Sequence, residues 1–474
     1  MKPYLFNVIR TPRWKRPDMT WLTPAESTAT SMAVHWMADE RNVRRKEIIY
    51  RKQGDSSWIQ TYADIDDEMP WEGTATLGDW QEPDMKPKRI HIAVLGGLES
   101  DTIYEFRVAG ESVATTKRFK TFKNDPSDMR VVGIGDMQNF QPWWLEINQI
   151  IPTYNPDLIV GGGDYVGSEG GHYYDHGRGH RWINFLSPLE KDFVRSDGCM
   201  IPLALPIGHH EISGQPYGDP AQARYFGKLF HAPGRIGEVG YFWCKLEFGS
   251  LLQLFILDMA HTNDANILSQ TTFLQNNINP SFAHILPTHH NSHFQSVKDF
   301  FSGTVGDISS QAREQWLPIL YDNGAKLLHT GDEHNYCVRH PIAYNPSLPD
   351  GVDENEYVTL FEPDGETIKG YLYRDDTTGM VEIGDGGWGT NRRDIFNPET
   401  TWWINRGEGV ETRRGKRHVD GVSIEDAPVH ADDGEPGDDE KTKHFYVLDF
   451  DTAKVRVRAV THLGNVFDDF NINV

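Results

Sequence analysis

Cysteine is scarce in this chain: Cys199, Cys244 and Cys337 are the only three in 474 residues. An odd, widely spaced set cannot build a disulfide framework, allows at most one bridge, and does not fix the compartment. Long apolar runs are missing as well. No stretch approaches the ~20 apolar residues of a membrane-crossing helix, and the N-terminal MKPYLFNVIRTPRWKRPD breaks its apolar patch with Arg and Pro. The expectation is a soluble protein with no secretion signal and no membrane partner, cytoplasmic as written and extracellular if the chain is a trimmed mature form. Basic residues are outnumbered, 46 against 69 acidic, for a formal net charge of −23. That balance disfavours tight binding to a polyanion through phosphate neutralisation, so a small substrate is expected before a nucleic acid. Some of the acid sits in EDAPVHADDGEPGDDE (425–440), which reads as a solvated loop with calcium or partner binding as the alternative.

Aromatic residues, in contrast, are plentiful: 14 Trp, 18 Tyr and 23 Phe in a chain that is 38% hydrophobic. Packed interiors are expected, and the length predicts two or three domains. From about Trp21 to Phe122 short alternating runs such as EIIYRK (47–52) and HIAVL (91–95) read as strands, with Met32, Val34 and Trp36 on one face. Tyr104 follows Leu98 by six residues at a strand start, as in the tyrosine corner of sandwich domains. The segment resembles a fibronectin type III module and sets a first, all-β domain at 1–125.

The texture changes after KNDPSD (123–128). VVGIGD (131–136), DLIVGGGD (157–164), IPLALPIGHHE (201–211), LLQLFILD (251–258), FAHILPTHH (282–290) and AKLLHTGDEH (325–334) are buried-strand runs, several separated by helix-length stretches. This predicts a layered α/β domain over 126–474, in which ligands gather beyond the carboxyl ends of the strands. Within it, 345–445 is variable and rich in acidic loops, and 444–474 alternates as closing antiparallel strands.

Each run ends in polar residues. Asp136, Asp164 and Asp332 each follow a buried apolar segment, and a carboxylate fixed there must be paired, hydrogen-bonded or metal-bound, because burying it bare costs several kcal/mol. His209, His210, His289, His290 and His334 lie at other strand ends. Carboxylate oxygen and imidazole together suit Mn, Fe or Zn, and Mg less well.

In order, GDMQ (135–138), GGDYVG (162–167), GHHE (208–211), THH (288–290) and GDEH (331–334) resemble the five blocks of the calcineurin-like metallophosphoesterases. The module in front, with GDGGWG and VFDDF behind, is similar to the purple acid phosphatase branch. The resemblance implies a metal-dependent phosphatase or phosphodiesterase whose two cations lie roughly 3.5 Å apart, with a bridging hydroxide attacking phosphorus. It implies Asp136, Gln138, Asp164 and His334 at one metal, and Asp164, His209, His289 and Asp332 at the other. Asp164 bridges, His210 protonates the leaving group and Glu211 orients it, while His290 and His293 reach the substrate phosphate. His209 and Asp332 replace the family's Asn and His, which keeps the ligand count and adds one negative charge. Gly167 stands where the purple enzymes carry tyrosine, so their colour should be absent. Further candidates are His172, His176 and His180 at a rim or third cation site, and Asn391, Arg392 and Arg393 as phosphate contacts. The competing reading is a binding or structural protein with an altered metal site, attached through its N-terminal sandwich.

Overall fold

A computed structural model describes residues 19–39, 46–69, 88–109, 111, 113–137, 142–166, 179–212, 223, 225–230, 242–260, 264–294, 308–353, 356–362, 366–384, 387, 404–407, 417–419, 422–424 and 443–474. The first domain is all-β. Strands Met19–Pro24, Met32–Asp39, Lys88–Leu95 and Ile65–Glu68 form one four-stranded sheet, and Ile59–Tyr62, Glu47–Lys52, Ile103–Val108 and Lys117–Lys120 form the other. Met32, Val34 and Trp36 share a core with Phe106 and Phe119, as their alternation predicts. Ala33 and Met37, on the opposite face of the strand, are buried too, in a second cluster with the helix residues Trp182 and Phe185. Both faces of this strand are therefore covered, one by the partner sheet and one by the following domain. The Glu99 N–H donates to the Tyr104 hydroxyl at 2.9 Å, which closes the corner anticipated from the Leu98–Tyr104 spacing.

The second domain is built from two mixed sheets packed face to face. In the first, Leu203–Ala204, Leu158–Gly161 and Asp128–Ile134 run parallel and are extended antiparallel by His444–Asp451, Lys454–Thr461 and Val466–Asn473. In the second, Leu252–Ile256, His284–Asn291, Leu327–Gly331 and Val381–Gly384 are parallel, with Cys244–Phe248 antiparallel at one edge and Cys337–Arg339 and Ile404–Gly407 at the other. Val131, Val160 and Leu448 from one sheet meet Leu254, Leu286 and Ile383 from the other in one apolar layer. Helices Pro142–Ile150 and Gly179–Asp192 cover the outer face of the first sheet, and Asp264–Asn277 and Ile308–Asp322 cover the second. The result is an α/β/β/α stack with strands buried on both faces. No helix among the described residues is long and apolar enough to cross a membrane.

His91, on Lys88–Leu95, lies 5.1 Å from the Trp36 ring and is 1% exposed. Burial pushes its pKa down to about 4, against the pull of Asp66. A histidine depressed from 6.5 binds its proton more readily in the unfolded chain, so it costs stability as pH falls from 6.5 towards 4. Between pH 7 and pH 5 this should remove on the order of 1–2 kcal/mol. Urea unfolding of the protein at the two pH values, beside His91→Gln, is expected to show a smaller acid penalty in the variant.

Candidate metal centre

The parallel strands of both sheets end on the same side, and the residues just past their ends converge. Asp136 follows Asp128–Ile134 by two residues, Asp164 follows Leu158–Gly161 by three, and Asp332 and His334 follow Leu327–Gly331. All four hold positive φ, at 55°, 55°, 74° and 55°. Left-handed backbone is rare outside glycine, and Asp, Asn and His tolerate it best, through short side chains that bond locally. Four such residues at strand ends in one place is the clustering of backbone strain seen at functional sites.

Close backbone approach makes the convergence possible. A Cβ on Gly331 would lie 2.2 Å from the Gly162 carbonyl and 2.7 Å from Asp136 Oδ2, and one on Gly208 would lie 2.0 Å from the Asp164 nitrogen. No side chain fits at either position. With both glycines in place the Asp332 N–H donates to Asp136 Oδ2 at 2.8 Å, and the His210 N–H donates to Asp164 Oδ1 at 2.9 Å.

Asp164 is the hub. His290 Nε2 is 3.3 Å from Asp164 Oδ1, His209 Nε2 is 3.5 Å from Oδ2 and His210 Nε2 is 3.6 Å from Oδ2. Asp332 Oδ1 is 3.7 Å from both His209 Nδ1 and His290 Nε2, and the His209 and His290 rings approach to 2.7 Å. Asp164, His209 and His290 offer three ligand atoms within 4.8 Å of one another, a spacing and donor chemistry that fit a transition-metal ion. On the other flank His334 Nε2 is 3.3 Å from Asp136 Oδ1. Glu211 is fully buried and accepts N–H bonds from Asp164 at 3.0 Å, Val166 at 2.9 Å and Gly208 at 2.9 Å. It ties together the backbones of the second and third blocks.

Protonation follows from burial and mutual charge. Burial opposes ionisation of Asp164, but the imidazoles of His209, His290 and His210 hold it well below the usual carboxylate range. Burial raises Asp136 well above that range, with the charges of Asp164 and Asp332 adding to it. Burial would keep His290 neutral, yet the pull of Asp164, Asp136 and Asp332 raises its pKa well above 6.5. Burial brings His209 down to about 4. For Glu211, burial and the Asp164 charge push the carboxyl up, opposed by its N–H donors.

The geometry corrects three expectations. His289 was expected at the second metal, but His289 and His290 point to opposite faces of their strand. Thr288 faces the first sheet, donating to the Gly161 carbonyl at 2.6 Å, and His290 shares that face, 2.7 Å from the Gly162 carbonyl. His289 turns outwards against Trp316 and His293, and burial drives its pKa well down. His290 therefore stands in the cluster and not at a substrate rim. His293 was also expected near the substrate. It is fully buried, with its N–H and Nδ1 3.1 Å from Glu382, and its carbonyl accepts from Arg313 at 2.6 Å. Asn291 was not anticipated: its Nδ2 donates to Asp332 Oδ2 at 3.1 Å. Its signal in the sequence was its place one residue beyond the histidine that shares Thr288's face. Gln138, Gly167, His172, His176, Asn391, Arg392, Arg393 and the acidic segment 425–440 lie outside the described residues, as does the side chain of His180.

Comparison with known proteins agrees with the fold. Residues 129–336 match the family model described as calcineurin-like phosphoesterase, and 17–121 match that of the purple acid phosphatase N-terminal domain. No curated protein matches the chain in sequence. Among solved structures, purple acid phosphatase PPD1 from yellow lupin (Lupinus luteus) seeds is similar with a TM-score of 0.68 at 14% identity, covering 97% of this chain and 74% of that one. A structure of PhoD is similar at 0.60 and 10%, covering 98% and 90%. At these identities the likeness is one of fold.

The two neighbouring histidines can be separated by substitution. His290→Ala should weaken Mn or Zn binding about a hundredfold or more, since loss of groups merely supporting ligands already costs 10–100-fold. His289→Ala should stay within about threefold of wild type. Calorimetric titration of metal-stripped protein, with folding checked by circular dichroism, makes the comparison.

Proposed function

From a chain that carries a calcineurin-like phosphoesterase domain behind a purple acid phosphatase-type N-terminal domain, we propose a dinuclear metal-dependent phosphoesterase that hydrolyses a small phosphate monoester or diester. The observation that carries the reading is the cluster of donors around Asp164. His209 and His290 lie against it and against Asp332, Asp136 is close enough to feel its charge, and His334 lies against Asp136. His209, His290 and Asp332 would hold one cation and Asp136 and His334 the other, with Asp164 shared. Bound cations supply Lewis acidity towards a phosphoryl oxygen and lower the pKa of the attacking water.

The protein's own groups prepare that chemistry. Glu211 fixes the turn at Asp164 through three N–H bonds, so the shared carboxylate is held before anything binds. His210 has its backbone fixed to Asp164, while its side chain is 25% exposed and sits at the mouth of the cluster. It is the group placed to donate a proton to the departing oxygen. His290, whose pKa is raised by the surrounding carboxylates, favours the ionised form of Asp164 that a cation would need. Tyr165 does not point at the cluster as a phenolate would: its hydroxyl accepts the Gly163 N–H at 3.0 Å from behind the turn, and burial raises its pKa well above 10. A protein loaded with iron should accordingly lack the tyrosinate colour.

The reading is tested with metal-stripped protein reloaded separately with Mn, Fe or Zn and offered a chromogenic monoester and the matching diester. Turnover should require metal and fall by at least about a hundredfold in Asp164→Asn. His210→Gln should lower kcat by roughly 10²–10⁴-fold with little change in metal affinity. Absence of turnover with every metal, in protein that binds two equivalents, would favour the binding-protein alternative.

A further inference from the structure

The N-terminal sandwich is joined to the metal cluster by an unbroken run of buried aromatic rings. Its edge strand Met19–Pro24 presents Trp21, 2% exposed, whose Nε1–H donates to the Leu229 carbonyl at 3.0 Å. Phe230 lies 6.5 Å from Trp21 between ring centroids, Trp182 lies 5.6 Å from Phe230, Phe185 lies 5.9 Å from Trp182, and Tyr165 lies 5.6 Å from Phe185. At the far end the Tyr165 hydroxyl accepts the Gly163 N–H at 3.0 Å, and a Cβ on Gly161 would lie 1.9 Å from that oxygen. Tyr165 thus props the strained Gly163–Asp164 turn from behind while Glu211 holds it from the other side.

The same helices are clamped to the sandwich by charge. Lys228 pairs with Asp67 at 2.7 Å and donates to the Glu68 carbonyl at 3.1 Å, while Lys117 pairs with Glu190 at 3.0 Å. Close-packed rings transmit position because the interior leaves no slack to absorb a shift.

We infer that the N-terminal domain is a working part of the metal centre: docked through Trp21, it sets the Gly163–Asp164 turn, with Tyr165 as the positioning residue. This rests on the phosphoesterase reading for its consequence in catalysis but not for its mechanical content. An attachment module would have no need of a buried path to the shared carboxylate.

The test uses the full-length, metal-free protein and follows amide hydrogen exchange in residues 162–166 by mass spectrometry, together with Mn affinity by calorimetry. Tyr165→Phe removes only the acceptor, Trp21→Ala removes the docking ring, and Tyr104→Phe removes a buried hydroxyl elsewhere in the sandwich as a control. Exchange at 162–166 should rise about tenfold and Mn affinity fall about tenfold in the first two, with neither changed in the control. Should Trp21→Ala fail to fold, Trp21→Phe, which keeps a ring and loses the donor to Leu229, decides by the same readouts. Unchanged exchange and Mn affinity in folded Trp21 and Tyr165 variants would overturn the inference. Wild-type turnover, measured in parallel, reports separately on the phosphoesterase reading, because exchange in the metal-free protein does not depend on it.

Discussion

Three carboxylates held out of water within one cluster are the constraint from which the rest of the site follows. Asp136 and Asp164 are fully buried and Asp332 is 5% exposed, and bringing bare charges together at that depth would cost several kcal/mol each. The chain meets the cost locally. Imidazoles of His209, His210 and His290 surround Asp164, His334 stands against Asp136, and backbone N–H groups of Asp332 and His210 donate to Asp136 and Asp164. Each device demands a particular backbone path, and these paths put four residues into left-handed conformation and leave no room for a side chain at Gly208 or Gly331. The strain and the glycines are consequences of the charge problem.

That problem is soluble only because two sheets end together. Gly162 and Gly331 belong to the strand ends of different sheets and touch backbone to backbone, while Thr288 of the second sheet donates to Gly161 of the first. The apolar layer shared by Val160, Leu254 and Leu286 holds this contact from below. Behind it, the clamp on the segment after His290 comes from Glu382, which receives the His293 N–H and pairs with the buried Arg339 at 3.3 Å. The guanidinium lowers the Glu382 pKa despite burial, so the clamp is ionic. His293 is held within that clamp, away from the cluster around Asp164.

Much of this was legible in the sequence because buried parallel strands advertise themselves as apolar runs, and the polar residue that ends each run is out of place unless it has a use. VVGIGD, DLIVGGGD and KLLHTGDEH each form a strand whose aspartate lies just past its end at positive φ. The Leu98–Tyr104 spacing placed the tyrosine corner. What escaped was the facing of the fourth block. In HILPTHHN every residue but the last is buried, so the alternation that marks an exposed face is absent and nothing local says whether His289 or His290 turns inwards. Only the neighbouring sheet decides, through the Thr288 bond to Gly161 and the irregularity in pairing between Thr288 and Asn291. Similarity between blocks carries the same ambiguity, since two adjacent histidines satisfy a loose pattern equally well.

The aspartate at 332 can then be understood from backbone and charge together. Its position requires φ of 74°, which Asp accommodates readily. It is also hydrogen-bonded twice, its backbone N–H donating to Asp136 and its Oδ2 accepting from Asn291, so the first sheet fixes its backbone and the second its carboxylate. A histidine there would add bulk beside His209 and His290, whose rings already lie 4.7 Å apart. The imidazole at 209 stands instead on a turn where its side chain is 23% exposed, and the compact carboxylate takes the crowded position. The third carboxylate raises the negative potential at Asp164, which favours cation capture and tempers the polarising power of what is captured. On the reading proposed above, a third carboxylate would hold a cation better at the expense of drive at the reacting oxygen, and packing at the meeting edge of the sheets decides where that charge sits.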